Sequence, residues 1–162
     1  MEKLEVTKSR AQTAFEKGTK EIKDAIANLF GREHFYKDIK EIVNGFEDAL
    51  PLYIEKYGEL DDFAKKLLCY SGSNKSVLAS AALFKLEIAI HVLNGFKDPD
   101  YNDGKPKYEP LFDLSGSGFS FNAYDGWRTC SGSGSRLAYL DLDTMKHGVK
   151  ILLPIYRTLY KK

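Results

Sequence analysis

Between Ser76 and Leu93 apolar side chains occupy most of a helical circumference: Val77, Leu78, Ala81, Ala82, Leu83, Phe84, Leu86, Ile88, Ala89, Ile90, Val92 and Leu93. A helix apolar on nearly every side has to be covered from several directions, so this segment is predicted to be the central element on which the chain packs. Lys85, Glu87 and His91 interrupt the run. It is therefore read as a core helix and not as a membrane span, which needs roughly 20 mostly apolar residues. Asn74 or Ser76 supplies the N-cap, and Asn94-Gly95 the stop.

Upstream, glycines divide the chain into shorter helices. Thr7 is placed to cap a helix carrying Ala11, Ala14 and Phe15, with Gly18 as its stop. Thr19 is placed to cap a second helix whose Ile22, Ala25, Ile26, Leu29 and Phe30 follow the i, i+3, i+4 spacing of one buried stripe, ended by Gly31. Asp38 to Val43 is helix-compatible, a further turn or two is predicted over Phe46 to Leu50 before Pro51, and Leu52–Tyr57 and Leu60–Tyr70 read as helical pieces split at Gly58. Ser71 to Lys75 forms a small polar loop.

After Gly95 the texture changes. Residues 96–107 are rich in Asp, Pro, Asn, Gly and Lys, which is loop chemistry. Leu111–Leu114, Phe119–Phe121, Trp127–Cys130 and Leu137–Leu140 are predicted as strands joined by the Ser/Gly runs 115–118 and 131–135. Three or four such strands make a small antiparallel sheet that is stable only against the helices. Asp141 or Asp143 then caps a last helix through Met145, Val149, Leu152, Leu153, Tyr156 and Tyr160, with a kink or break expected at Pro154. The predicted class is α+β: N-terminal helices and a long central helix over about 1–95, then a small antiparallel sheet and a C-terminal helix over about 96–162, in a single domain.

Charge narrows the function classes. The 162 residues carry 24 Lys and Arg against 23 Asp and Glu, a net charge of +1, so the basic excess typical of duplex-DNA binders is missing. The start, Met1-Glu2-Lys3-Leu4-Glu5, has no apolar stretch behind its charges, so no secretory signal is expected. Cys69 and Cys130 match no metal-ligand spacing and are expected as reduced, semi-buried thiols of a cytoplasmic protein.

Candidate sites come down to two constellations. In the loop Asp98-Pro99-Asp100-Tyr101-Asn102-Asp103-Gly104, the residues Asp98, Asp100, Asn102 and Glu109 fall on positions 1, 3, 5 and 12 of a calcium loop. Position 6 is Asp103 instead of glycine, and Pro110 starts a strand instead of a helix, so a polar turn built on Asx chemistry is the competing reading. The second constellation is aromatic: Phe112, Phe119, Phe121, Tyr124, Trp127 and Tyr139. These residues pack the core, or else Tyr124 and Trp127, with Arg128 and Arg136 nearby, present a surface that stacks on bases or grips a partner. The Ser/Gly runs lack the Lys-Ser/Thr of a phosphate loop, and Arg136 leaves anion binding as a minor option. No nucleophile motif with a marked histidine partner is present; His91 is read as a hydrogen-bonded core or boundary histidine and His147 as exposed. Asp61-Asp62 and Asp141/Asp143 are read as helix-start charges.

Several stretches resemble a family of small proteins encoded by phages and prophages of gut anaerobic bacteria. They are Lys85-Leu86-Glu87-Ile88, Val92-Leu93-Asn94-Gly95-Phe96, Pro99-Asp100-Tyr101-Asn102, Lys107 to Phe112, Gly118-Phe119-Ser120-Phe121, Tyr124, Trp127 and Gly134-Ser135-Arg136-Leu137. The opening, Val6-Thr7-Lys8 through Leu29-Phe30-Gly31, is similar to a helical segment at the start of proteins from the same source. The resemblance spans roughly the first 35 and last 80 residues. It implies a virus-linked origin and a place in the bacterial cytoplasm or the virion, and it carries over no catalytic residue.

The expected function is thus a non-catalytic, phage- or prophage-associated binding or assembly module with a protein partner or self-association, no membrane and no cofactor. A single-stranded nucleic-acid binder using Tyr124, Trp127, Arg128 and Arg136 is the alternative. A small hydrolase comes third and would need a pocket of converging polar groups.

Overall fold

Asn74, not Ser76, opens the central helix. Its side-chain oxygen accepts from the backbone N–H of Ser76 (3.0 Å) and Val77 (3.3 Å), filling two of the donors a helix start leaves unpaired. The computed structural model describes residues 7–31, 35, 38–114, 119–127 and 135–160. In chain order the elements are α1 (Lys8–Lys17), α2 (Lys20–Phe30), α3 (Ile39–Ile42), α4 (Phe46–Tyr57), α5 (Asp62–Leu68), α6 (Lys75–Leu93), β1 (Lys107–Asp113), β2 (Ser120–Trp127), a 3₁₀ turn (Ser135–Leu137) and α7 (Leu142–Tyr160). The fold is α+β, with a small two-stranded antiparallel sheet, a long central helix and a C-terminal helix.

The chain divides into two units, 1–42 and 43–162. In the first, Ala11, Phe15, Ala27 and Phe35 form a small core, with Phe15 stacked on Phe35 at 4.9 Å. Gly18 lets α1 and α2 turn tightly, since a Cβ there would stand 2.6 Å from the Ile22 methyl. The face predicted for α2 is not the buried one. Ala27 is fully buried while Ile22 is 47% and Leu29 77% exposed. Of the predicted stripe, Ile26 packs partly against this core and the Phe30 ring stands edge-on to Phe35. Thr7 and Thr19 hold the N-cap positions without a side-chain cap bond. Thr19 donates instead to Glu21 at 2.7 Å, and that bond holds the Glu21 carboxyl below its usual range.

In the second unit α6 is covered by α4, α5 and α7. It buries Ala81, Ala82, Leu86, Ile88, Ala89, Ile90, Val92 and Leu93, each large side chain worth roughly 1.5–3 kcal/mol of transfer free energy. Despite its three polar interruptions, α6 is the one described helix that is also long and apolar enough to cross a bilayer, a test that core helices pass too. Its partner α7 contributes Met145, Val149, Leu152 and Tyr156. Gly148 of α7 lies directly under the Tyr139 ring. The Tyr139 and Tyr156 hydroxyls meet at 3.1 Å, so both buried phenols are satisfied, and burial pushes both pKa values upward.

Neither internal proline interrupts its helix: α4 continues through Pro51 and α7 through Pro154. Both prolines are exposed, so the carbonyls they leave unpaired stand where water is available. Asp61 caps α5 through Ala64 N–H at 2.7 Å, and Asp141 accepts from Thr144 N–H at 2.8 Å, as the helix-start carboxylates predict. His147 is half-buried and not exposed: its Nε2 donates to the Val43 carbonyl at 2.8 Å. Cys69 is an exposed free thiol at the end of α5, while Cys130 lies outside the described residues.

The sheet departs most from expectation. The first strand begins at Lys107, because the Lys107 ammonium is buried on Asp103 (2.6 Å) and the Lys105 carbonyl (3.0 Å) instead of lying in a solvated loop. Trp127 ends β2 opposite Lys107, the rest of the predicted Trp127–Cys130 strand lies outside the described residues, and Leu137 closes a 3₁₀ turn. The fourth predicted strand is reduced to one bridge, in which Tyr139 and Tyr108 exchange two 2.9 Å backbone hydrogen bonds. Between Leu111 and Phe112 the register slips, leaving Asn122 without an opposite residue. Glu109 faces Asp125 across the strands, and burial plus that neighbouring carboxylate raise its pKa.

Two outcomes follow for stability. Gly148→Ala gains helix propensity but drives a Cβ to within 2.7 Å of the buried Tyr139 Cζ, and Tyr139 is pinned by Tyr156. The overpacking loss of roughly 1–3 kcal/mol outweighs a propensity gain of under about 1 kcal/mol, read as a fall in Tm of several degrees. Glu109 holds its proton to higher pH in the fold than in the unfolded chain. Its contribution is therefore complete below the ordinary value of 4.5 and is lost as pH rises through the raised value. Glu109→Gln is expected to raise Tm at pH 7 by an amount matching a relieved like-charge pair, roughly 0.2–1 kcal/mol, and to leave Tm unchanged at pH 4. A gain that persists at pH 4 contradicts this.

Candidate functional site

Two of the polar side chains that interrupt the apolar run of α6, Glu87 and His91, share one face, while the third, Lys85, stands over the Phe46 ring. Phe84, Glu87 and His91 follow i, i+3, i+7 spacing and open onto a cleft of about 540 Å³. Tyr53 and Tyr57, at i, i+4 near the end of α4, form a second wall. Asn94 at the end of α6, Lys97, Asp98, Pro99 and Tyr101 from the segment after it, and Arg136 from the 3₁₀ turn complete the lining. The volume lies in the range of small-ligand sites, and the lining mixes aromatic rings with both signs of charge.

At the centre stands His91, bonded on both ring nitrogens. The Tyr57 hydroxyl lies 2.7 Å from Nε2, and an Asp98 carboxylate oxygen 3.1 Å from Nδ1. The carboxylate can only accept, so in the neutral imidazole the proton belongs on Nδ1. That leaves Nε2 as the acceptor for the Tyr57 O–H. The His91 side chain is 18% exposed and Asp98 89% exposed, so the imidazole is held inside the wall while its carboxylate partner stands in water. Rings surround the pair: Tyr57 lies 5.6 Å, Phe96 6.0 Å and Tyr53 6.2 Å from the imidazole, and the Lys56 ammonium stands 5.8 Å over Phe96.

A strained turn brings Asp98 to His91. The chain leaves α6 by a paired cap in which Gly95 N–H bonds the Val92 carbonyl and Phe96 N–H bonds the His91 carbonyl, both at 2.9 Å. Gly95 and Phe96 both have positive φ, 67° and 62°. Glycine takes this conformation freely, whereas for Phe96 it carries an energetic penalty that the surrounding packing has to hold. Asn94, at the end of the same helix, also lines the cleft: it donates to the Ala138 carbonyl (2.9 Å) and accepts from Leu140 N–H (3.0 Å), fixing the segment behind Arg136.

The calcium-like set is not assembled. Asp98 turns to His91, Asp100 accepts from Asn102 N–H at 2.8 Å in an Asx turn, and Glu109 lies in β1 opposite Asp125. Among the described residues no group of three His, Cys, Asp or Glu side chains is placed to hold a metal ion. Asp103, the residue in the glycine position, accepts from Lys107 and from Lys105 N–H, and the Lys107 bond holds its carboxyl below the usual range.

The aromatic set divides between core and surface. Tyr139 is wholly buried, and Phe112 packs on Tyr156 at 4.8 Å and on Phe119 at 4.8 Å. Phe121 and Tyr124 are 37% and 43% exposed on β2, and Tyr160 of α7 stands exposed beside Phe112 and Phe119. Arg157 lies 6.0 Å over the Phe119 ring. Trp127 terminates β2, while its side chain and Arg128 lie outside the described residues. Of the four predicted binding residues, Tyr124 thus lies on β2 and Arg136 lines the His91 cleft.

Tyr57 is the residue that sequence reading missed, since a tyrosine at a helix end carries no motif. The signal available was Glu87 and His91 at i, i+4 on an otherwise apolar helix, which marks the side of α6 left uncovered. Comparison of the chain with protein-family models, with curated proteins and with solved structures returns no match.

Proposed function

We propose that this chain is a protein-contact module, phage- or prophage-linked as its sequence resemblance implies, which engages its partner through the aromatic patch on the β1–β2 ribbon and the end of α7. The observation that carries this reading is the run of exposed aromatics along that patch, Phe121, Tyr124 and Tyr160, supported from beneath by Phe112 and Phe119. Large rings on an ordered base, with a neighbouring arginine, are the residue types that dominate interface energetics. A phosphate backbone fits this surface poorly. Glu109, Asp113 and Asp125 lie on the same two strands, and like charge repels nucleic acid from the rings. That charge pattern favours a protein over the single-stranded nucleic-acid alternative.

The double variant Phe121→Lys, Tyr124→Lys tests the reading, because both positions are exposed and the change is expected to move stability by less than about 0.5 kcal/mol each. Light scattering after size exclusion, together with affinity capture from lysogenic cells, is expected to show a complex for the wild type that the variant loses. Oligonucleotides at low salt are expected to leave the single-Trp fluorescence unchanged. A wild type that stays monomeric and captures no more than the variant overturns the proposal, and quenching by oligonucleotides moves it to the nucleic-acid reading.

A further inference from the structure

The Tyr57–His91–Asp98 chain is not used by a contact surface on the ribbon, and its order is that of an activated nucleophile: acceptor carboxylate, imidazole, hydroxyl. From this geometry we infer that the cleft is a reaction site in which Tyr57 attacks a phosphodiester, with His91 as its base and Asp98 as the positioning residue. This goes beyond the protein-contact reading and rests on different residues.

Three observations carry it. The hydroxyl is within hydrogen-bond distance of a ring nitrogen that the carboxylate partner leaves as acceptor, the arrangement that proton abstraction requires. Tyr57 is half-exposed at the cleft, so its oxygen is reachable by a substrate, while the imidazole behind it is not free to rotate. Backbone strain at Phe96 sits at the turn that delivers Asp98 to His91, and Phe96 packs on both His91 and Tyr57. The substrate class follows from the lining. Lys97 and Arg136 bring two positive charges and Glu87 and Asp98 two negative ones, so the lining is balanced. That balance suits a monoanionic phosphodiester better than a dianionic monoester, and Tyr53, Phe84 and Tyr101 give flat apolar walls to an aromatic group on either side of the phosphorus.

The step balances without a co-reactant other than water. Tyr57 Oη attacks phosphorus as its proton passes to His91 Nε2, and the resulting imidazolium is stabilised by Asp98. The bond to the leaving oxygen breaks, and that oxygen takes the proton from His91. Water then attacks the phosphotyrosyl ester and gives its proton to His91. The Tyr57–phosphorus bond breaks, and the phenolate recovers the proton. The products are one alcohol and one phosphomonoester.

Bis(4-nitrophenyl) phosphate is the probe. Wild-type protein is expected to release 4-nitrophenolate and, on rapid acid quench, to carry an aryl phosphoryl adduct on the peptide containing Tyr57. Tyr57→Phe is expected to lose both, and His91→Gln to slow release by about 10²–10⁴-fold, the contribution of a positioned base. Asp98→Asn is expected to lower kcat with KM unchanged, and Asp98→Glu to restore part of it, a split that a purely structural role does not produce. Thermal melts check that each variant is folded. Release by the wild type no faster than by folded Tyr57→Phe, or an adduct only on other residues, overturns the proposal.

Discussion

Covering α6 is the constraint from which the rest of the second unit follows. A 19-residue helix with apolar side chains almost all round cannot satisfy itself with one neighbour, so α4, α5 and α7 are recruited to its sides. The side they leave open is the one bearing Glu87 and His91, because closing it would bury a carboxylate and an imidazole, both of which need polar partners. The cleft is thus the side of an apolar rod on which Glu87 and His91 stand.

The end of that rod organises the remaining chain by hydrogen bonding instead of burial. Asn94 pairs with the backbone at Ala138 and Leu140, Tyr139 pairs with Tyr108, and the Tyr139 hydroxyl meets Tyr156. A two-stranded ribbon is marginal in water by itself. Here β1 is held from one side by the Tyr139 bridge and packs against α7, so the ribbon is a fixture of the helical core. Its second strand then stands with every described side chain from Ser120 to Gly126 exposed, which is why Phe121 and Tyr124 are free to meet another molecule.

The two candidate surfaces differ in their physical character. On the ribbon, affinity would come from apolar area and ring packing, which are tolerant of exact chemistry. In the cleft, a 2.7 Å and a 3.1 Å contact set one proton's position and one ring's orientation, and a loss of either partner changes what the site can do. Both depend on α6, the first through α7 and β1, the second through the residues of α6 itself.

The α+β class, the central role of 76–93, the Asn74 and Asn94-Gly95 caps and the helix-start aspartates were legible in the chain, because periodicity, caps and charge at helix ends are local in sequence. Interruptions at Pro51 and Pro154 were not a sound inference, since an exposed proline in a helix leaves its lost carbonyl to water. The strand predicted at Leu137–Leu140 is reduced to a bridge because that segment is held by Asn94 and Tyr108, partners 31 or more positions away that no local pattern reports. The buried face of α2 was likewise decided by a core gathered from separate segments, Ala11, Phe15, Ala27 and Phe35, with Ile26 against it. Residue by residue the site followed the same division: sequence placed His91 at a boundary and Asp98 in a polar loop. Only the folding of α4 against α6, and the left-handed turn at Gly95-Phe96, set Tyr57 and Asp98 on the two nitrogens of one imidazole. Local chemistry writes the elements, while contacts between distant residues are set by packing that minimises exposed apolar surface across the whole unit.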